Sequence, residues 1–295
     1  MNWRRIRNWF FTIAALGTVA ILLTSWGVAG SLVAPTKRVV GDPPNDFPAA
    51  SVEIQSKSGA TLAGWHLALP NSNATAILLH PIRGDRRSML SRARLMRRHG
   101  YSTLLVDLQA HGESTGDNIT VGHLEQHDVS AAVEFVRDVA PNQKVVIIGR
   151  SLGGASTVFA NPDVNAIVLE SVYPTVNDAV HNRVQMRLGF LHHAIAPLLL
   201  AQLKPRLDVS PSQLRPIDHL GEIQCPILIA SGDCDEHTTL SETNRLFDEA
   251  NEPKKLVIFN DAAHVDLLAH DPAKYENEII GYINQIIGDR IREPE

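Results

Sequence analysis

Only two cysteines occur in 295 residues, Cys225 and Cys234, too few for a disulfide framework. They flank a short apolar run, residues 226–231. Read as a strand rising about 3.3 Å per residue, that run separates them far beyond the roughly 7 Å Cα limit for a bridge. Both are expected as thiols, and cysteine usage neither requires nor excludes an oxidising compartment. An excess of positive charge is also missing. The net charge of -5 gives no reason to expect nucleic acid as a partner. Basic residues gather only at the extreme N-terminus and over residues 83–98, where their helical spacing reads as a solvated face. No internal repeat or low-complexity tract is present, which argues against a solenoid. A metal site lacks its ligands. His123 and His127 stand four apart on one expected helix face, but the zinc-protease pattern needs Glu directly after the first histidine, and Glu125 comes two residues on. No third ligand accompanies them, and the adjacent His192 and His193 point apart. No metal or cofactor is expected.

Charge is absent altogether from residues 9–34, a run of 26. About 20 apolar residues suffice to cross a bilayer as a helix. Arg4, Arg5 and Arg7 precede the run and Lys37 and Arg38 follow it. With the amino terminus counted, this asymmetry favours a cytoplasmic N-terminus and a body on the far side. Trp3, Trp9 and Trp26 suit interfacial anchoring. The rival reading is a cleaved signal peptide with Gly27-Val28-Ala29 as its small-residue site, although the apolar stretch exceeds the usual length. Residues 1–35 are therefore expected as a single-pass membrane anchor, or as a leader whose removal leaves a secreted protein. Residues 36–50 complete a polar stretch with four prolines from Pro35 onward and read as an extended linker.

The remainder, residues 51–290, has ample apolar content for one large core, the whole chain being 44% hydrophobic. Period-2 alternation predicts strands over 52–55 and 62–69. Compact apolar runs predict further strands over 76–80, 103–107, 145–149, 166–170, 227–232 and 256–260. Helical patterns fill 86–99, 122–140, 151–160 and 274–287. Continuous apolar runs, each followed by a helix, are the signature of parallel strands buried on both faces. The expected class is α/β with one doubly wound, mostly parallel sheet, whose ligands bind beyond the carboxyl ends of the strands. One stretch breaks the alternation: residues 175–203 read as two helices with no strand between them. An insertion over about 175–215 is expected as a small helical cap.

Gly149-Arg150-Ser151-Leu152-Gly153 matches G-x-S-x-G between a predicted strand and a predicted helix, the context that lifts a serine hydroxyl above a sheet. Such a hydroxyl needs a base. His264 follows the last predicted strand and is placed to serve. The base needs a carboxylate on its other nitrogen. Asp235, in the loop after the strand ending at Gly232, is the first choice, with Asp233 and Glu236 on the same loop and Glu170 at another strand end as competitors. Two backbone donors should hold an oxyanion. Leu152 follows the nucleophile. The second comes from His80-Pro81-Ile82-Arg83-Gly84, where Pro81 has no N–H, leaving Ile82 first and Arg83 second.

Over residues 52–287 this set resembles the α/β-hydrolase superfamily, and more narrowly its serine aminopeptidase-like and dienelactone hydrolase-like branches. The chain order Ser151, Asp235, His264 is similar to that of the family. Residues 107–114 look like its D-x-x-G-x-G-x-S turn, with Ala110 and His111 as departures, and His80-Pro81 stands where the family has H-G. The resemblance implies cofactor-independent hydrolysis of esters, thioesters or amides. The expected activity is cleavage of carboxylic esters of a small-molecule acyl substrate through an acyl-enzyme. A peptidase or amidase on the same triad, and a non-catalytic membrane-anchored binding protein, are the alternatives. Nothing in the sequence sets the oligomeric state.

Overall fold

The structure, a computed structural model, describes residues 3–289. The amino terminus, and residue 290 where the sequence reading ends the main domain, lie outside the described residues. Eight strands form one sheet: β1 (Ala50–Gln55), β2 (Thr61–Leu67), β3 (Ala74–Leu79), β4 (Ser102–Val106), β5 (Lys144–Arg150), β6 (Ala166–Glu170), β7 (Ile227–Gly232) and β8 (Lys254–Phe259). Their spatial order is β1-β2-β4-β3-β5-β6-β7-β8. β1 and β2 pair antiparallel at one edge, β2 pairs antiparallel with β4, and the other neighbours are parallel.

The inner parallel strands are mostly apolar because each has two faces to bury, whereas the edge strand β8 opens with Lys254 and Lys255. Along β5, Val145 and Ile147 enter one core cluster while Val146 and Ile148 enter the opposite one. Helices α3 (Glu125–Val139) and α4 (Leu152–Ala160) cover the first face. Helix α2 (Leu90–Arg98) and the C-terminal helical run ending in Gly281–Asp289 cover the second. Each fully buried Ile or Leu here contributes about 1.5–3 kcal/mol.

Three local departures from the sequence reading have physical causes. Residues 86–89 form a 3-10 turn rather than the start of α2, because the Asp85 carboxylate caps the Arg87 N–H at 3.0 Å. Helix α3 begins at Glu125, not residue 122, because the Glu125 carboxylate turns back to accept from the N–H groups of Thr120 and Gly122, both at 2.8 Å. A helix over Leu240–Glu249, between β7 and β8, escapes the periodicity reading, although Thr239 and Glu242 form a capping box at its start.

Residues 36–50 are extended, but they lie along the body. Thr36–Lys37 pairs in parallel with His111–Gly112, Phe47 is fully buried, and Asp46 receives a bidentate contact from Arg94 at 2.8 and 2.9 Å. Before them, α1 (Trp3–Val33) is one continuous helix, and Ile6–Val33 is long and apolar enough to cross a membrane, a property shared with signal sequences. Between β6 and β7 the chain leaves the sheet as α5 (Val176–Leu188), α6 (His192–Leu200) and α7 (Leu203–Leu207), which stack into a small apolar cluster of their own. Cys225 and Cys234 are not bridged.

Candidate active site

Ser151 sits in the one-residue turn between β5 and α4 with φ +48° and ψ −108°, a backbone region costing of order 1–3 kcal/mol for a side-chain-bearing residue. Its N–H is tied to the Glu170 carbonyl at 2.8 Å, which fixes the turn against β6. The flanking glycines are sterically required. A β-carbon at 153 would lie 2.5 Å from the Leu79 carbonyl oxygen, and one at 149 would lie 2.7 Å from the Gly154 Cα.

Asp235 and His264 are brought together: Nδ1 of the ring lies 2.8 Å from Asp235 Oδ2. The loops that carry them are laced to each other. Cys234 N–H donates to Ala262 O at 3.0 Å, and a β-carbon at 232 would fall 2.0 Å from that same oxygen, so only glycine permits the approach. The second carboxylate oxygen accepts from the N–H groups of His237 (2.8 Å) and Thr238 (2.9 Å). Burial pushes the Asp235 carboxyl up, but the His264 bond and these two amides outweigh it and hold the group below the usual carboxylate range. With Nδ1 donating to an ionised partner, Nε2 is left as the basic nitrogen. Among the described residues no hydrogen bond joins the Ser151 hydroxyl to His264.

Of the competing acids, Glu170 is occupied elsewhere. Its carboxylate is gripped by Arg92 at 2.9 and 2.5 Å and accepts from the Tyr275 hydroxyl at 2.5 Å. The two oxyanion positions also separate. The Arg83 N–H donates to His111 Nε2 at 3.1 Å, which removes it as a free donor. Among the described residues the Ile82 and Leu152 N–H groups have no protein partner, and both residues line the same cavity as Ser151.

That cavity, of about 390 Å³, is mostly aliphatic. Its walls come from the cap (Val176, Val180, Leu199, Leu200, Leu203) and from the last turns of α1, with Arg183 and Arg187 as its cations beside Arg83. His237, which the sequence reading did not single out, also faces the cavity and stacks on His264 with centroids 4.6 Å apart and planes within 8°. His264 is thus one ring removed from the cavity that holds Ser151. Burial, with Arg183 and His264 nearby, lowers the His237 pKa, which favours the neutral ring. The signal for His237 lay only in its position two residues beyond Asp235, where its backbone reaches the carboxylate. Among the described residues no three His, Cys, Asp or Glu side chains are grouped to hold a metal.

The sequence pattern of the alpha/beta hydrolase family matches residues 76–278. The chain belongs to the alpha/beta hydrolase family. As a hydrolase-family member it is similar to the uncharacterized protein YfhR of Escherichia coli K12, 26% identical over 264 residues and covering 84% of each chain. It is also similar to the uncharacterized protein Rv2307c of Mycobacterium tuberculosis, 25% identical and covering 86% of each. Among solved structures, the Pyrococcus furiosus esterase Pf2001 superposes with a TM-score of 0.72 at 22% identity, covering 87% of this chain and all of the esterase. An esterase from Exiguobacterium antarcticum superposes with a TM-score of 0.61 at 14% identity, covering 79% of this chain and 99% of the esterase. At these identities the likeness is one of fold. Family membership together with these neighbours supports a hydrolase.

Proposed function

We propose that this alpha/beta hydrolase cleaves carboxylic esters with Ser151 as nucleophile, His264 as base and Asp235 as the group that orients and stabilises the imidazolium. The Ser151 oxygen attacks the acyl carbon while its proton passes to His264 Nε2. The oxyanion is held by the Ile82 and Leu152 N–H groups, each worth roughly 3 kcal/mol in the transition state. Collapse expels the alcohol, which takes the proton from His264 and leaves an acyl-enzyme. Water activated by the same nitrogen then releases the acid. Thioesters lie within reach of the same chemistry. The Ser151–His264 contact closes when substrate fills the cavity, as catalytic hydrogen bonds often do.

The observation that carries this reading is the 2.8 Å Asp235–His264 bond beside a cavity lined by Ser151 and two unengaged N–H groups. The apolar walls favour an acyl ester over a peptide. A fluorophosphonate probe should label wild-type protein and leave Ser151→Ala unlabelled. Equal labelling of both removes Ser151 from the role. Turnover of p-nitrophenyl esters well above aminoacyl anilides is expected, and the reverse order would make the protein an amidase. We read α1 as a retained single-pass anchor with the catalytic body outside the cytoplasm.

A further inference from the structure

We propose that the last turns of α1 are a wall of the substrate site, and that the site takes esters of a long, apolar acyl chain. This rests on the hydrolase reading above and adds the substrate class. The cavity that holds Ser151 is lined by Ala29, Leu32 and Val33 of α1 together with Val180, Leu199 and Leu200 of the cap, Ala29 and Val33 being buried and Leu32 45% exposed. A membrane anchor need only be tethered to its domain. This one contributes side chains to the cavity.

The junction is also fastened in a way a passing helix is not. The last carbonyls of a helix have no partners within it and must find them elsewhere. Here the Arg83 guanidinium donates to Ser31 O at 3.0 Å, and the Ile119 N–H donates to Val33 O at 2.8 Å. Arg83 directly follows Ile82, so the loop offering an oxyanion donor also caps the helix. Further back, Gln202 Nε2 donates to Ser25 Oγ at 2.8 Å, and the Arg206 guanidinium stacks over Trp26 at 3.8 Å from the ring centroid.

Burial changes at the same place. Residues 6–24 of α1 expose their apolar side chains almost without exception, whereas Ser25, Ala29 and Val33, four apart and therefore on one face, are buried. Ala29 packs in one cluster with Val184, Ala196 and Leu199 of the cap. Cleavage after Ala29 would remove one wall residue and leave Leu32 and Val33 without the helix that positions them. A volume of about 390 Å³ lies within the ~300–1,000 Å³ range of sites that enclose a small ligand. Aliphatic walls of this kind favour each added methylene by about fourfold.

The test uses the full chain in detergent micelles and reads ratios of kcat/KM, because partial misfolding lowers both members of a ratio equally. Wild type should prefer p-nitrophenyl dodecanoate to the acetate. Leu32→Trp, which fills the cavity from the α1 side, should lower the dodecanoate-to-acetate ratio by roughly tenfold. Leu32→Ala, which deepens it, should raise the hexadecanoate-to-dodecanoate ratio. A wild type that prefers acetate overturns the substrate class. Ratios unmoved in both variants overturn the wall while the hydrolase stands. Absence of both turnover and fluorophosphonate labelling in wild type overturns the hydrolase reading itself, and this proposal with it.

Discussion

His80 and His111 are buried, in edge contact with each other, and each is held in one tautomer by its neighbours. Backbone N–H groups point at both Nε2 atoms, Leu108 at 3.0 Å on His80 and Arg83 at 3.1 Å on His111. The Nδ1 atoms donate to the carbonyls of Pro81 and Gln109. Protonation would set N–H against N–H, and burial accordingly pushes both pKa values down to about 4. Above the unfolded value of about 6.5 both states are neutral and the full stability is present. As pH falls from about 6.5 to about 4 the unfolded chain takes up protons first, and that stability is lost. These rings hold the loop carrying Ile82, so they act as positioning residues. His111→Phe should cost about 1–3 kcal/mol in denaturant unfolding by orphaning the Arg83 N–H, and should lower kcat more than it raises KM. His111→Gln, which restores an acceptor, should recover part of kcat. Asp128 has the opposite slope. Burial raises its carboxyl to about 7 despite hydrogen bonds from Ser56, Ser58 and the Gln109 N–H. Its stability contribution is full below the unfolded value near 4 and is lost as pH rises to about 7. Asn fits the same place, because the two serine hydroxyls can reverse and accept. The stability of Asp128→Asn relative to wild type should therefore improve steadily from pH 4 to pH 7. A flat difference across that range would mean the carboxyl stays ionised throughout.

At the scale of elements, strands β3 to β7 were legible because burial on both faces leaves a continuous apolar run, and the edge strand β8 kept a shorter one after Lys254 and Lys255, while β1 and β2 showed period-2 alternation. The turn at Ser151 was legible for a related reason: glycines at 149 and 153 are forced by contact, so the constraint is written in the sequence. The pairing of Asp235 with His264 was legible as an order of residues but not as a distance, since it depends on two loops laced through Gly232 and Ala262. Residues 36–50 read as a spacer because prolines and charges mark exposure equally well on a free strand or on one laid against a body. The role of α1 in the cavity left no local trace, because Ala29, Leu32 and Val33 are as apolar as the residues expected in lipid. That docking depends on few contacts, and Arg206 makes two of them: its cation–π stack on Trp26 and a hydrogen bond to the Trp26 carbonyl. Arg206→Ala should loosen α1 from the cap by about 1 kcal/mol. Amides of residues 25–33 should exchange hydrogen several-fold faster, with the sheet unchanged. Equal protection in both proteins would assign the docking to apolar packing alone.

Taken as a whole, the molecule is asymmetric about α1, and the asymmetry bears on which side of a membrane the body occupies. Three arginines, at 4, 5 and 7, lie before the uncharged run, while Lys37 and Arg38 lie after it. The two later cations are already committed to the body. Lys37 bonds the Ser114 carbonyl, and Arg38 lies 3.7 Å from the Asp85 carboxylate. If α1 spans a membrane, the three N-terminal arginines outnumber the two later cations, and the positive-inside rule would leave that N-terminal flank in the cytoplasm. Cys234 offers a direct reading of the outcome, because it is exposed on the loop between β7 and the Leu240–Glu249 helix. In intact cells producing the full chain, a membrane-impermeant maleimide should modify the protein without permeabilisation, and Cys234→Ser should abolish most of that signal. The neighbouring Asp233 raises the thiol pKa, so labelling should accelerate as the medium is brought from pH 7 to pH 8.5. Modification that appears only after permeabilisation would place the body in the cytoplasm and overturn the reading of α1 as an anchor with the body outside.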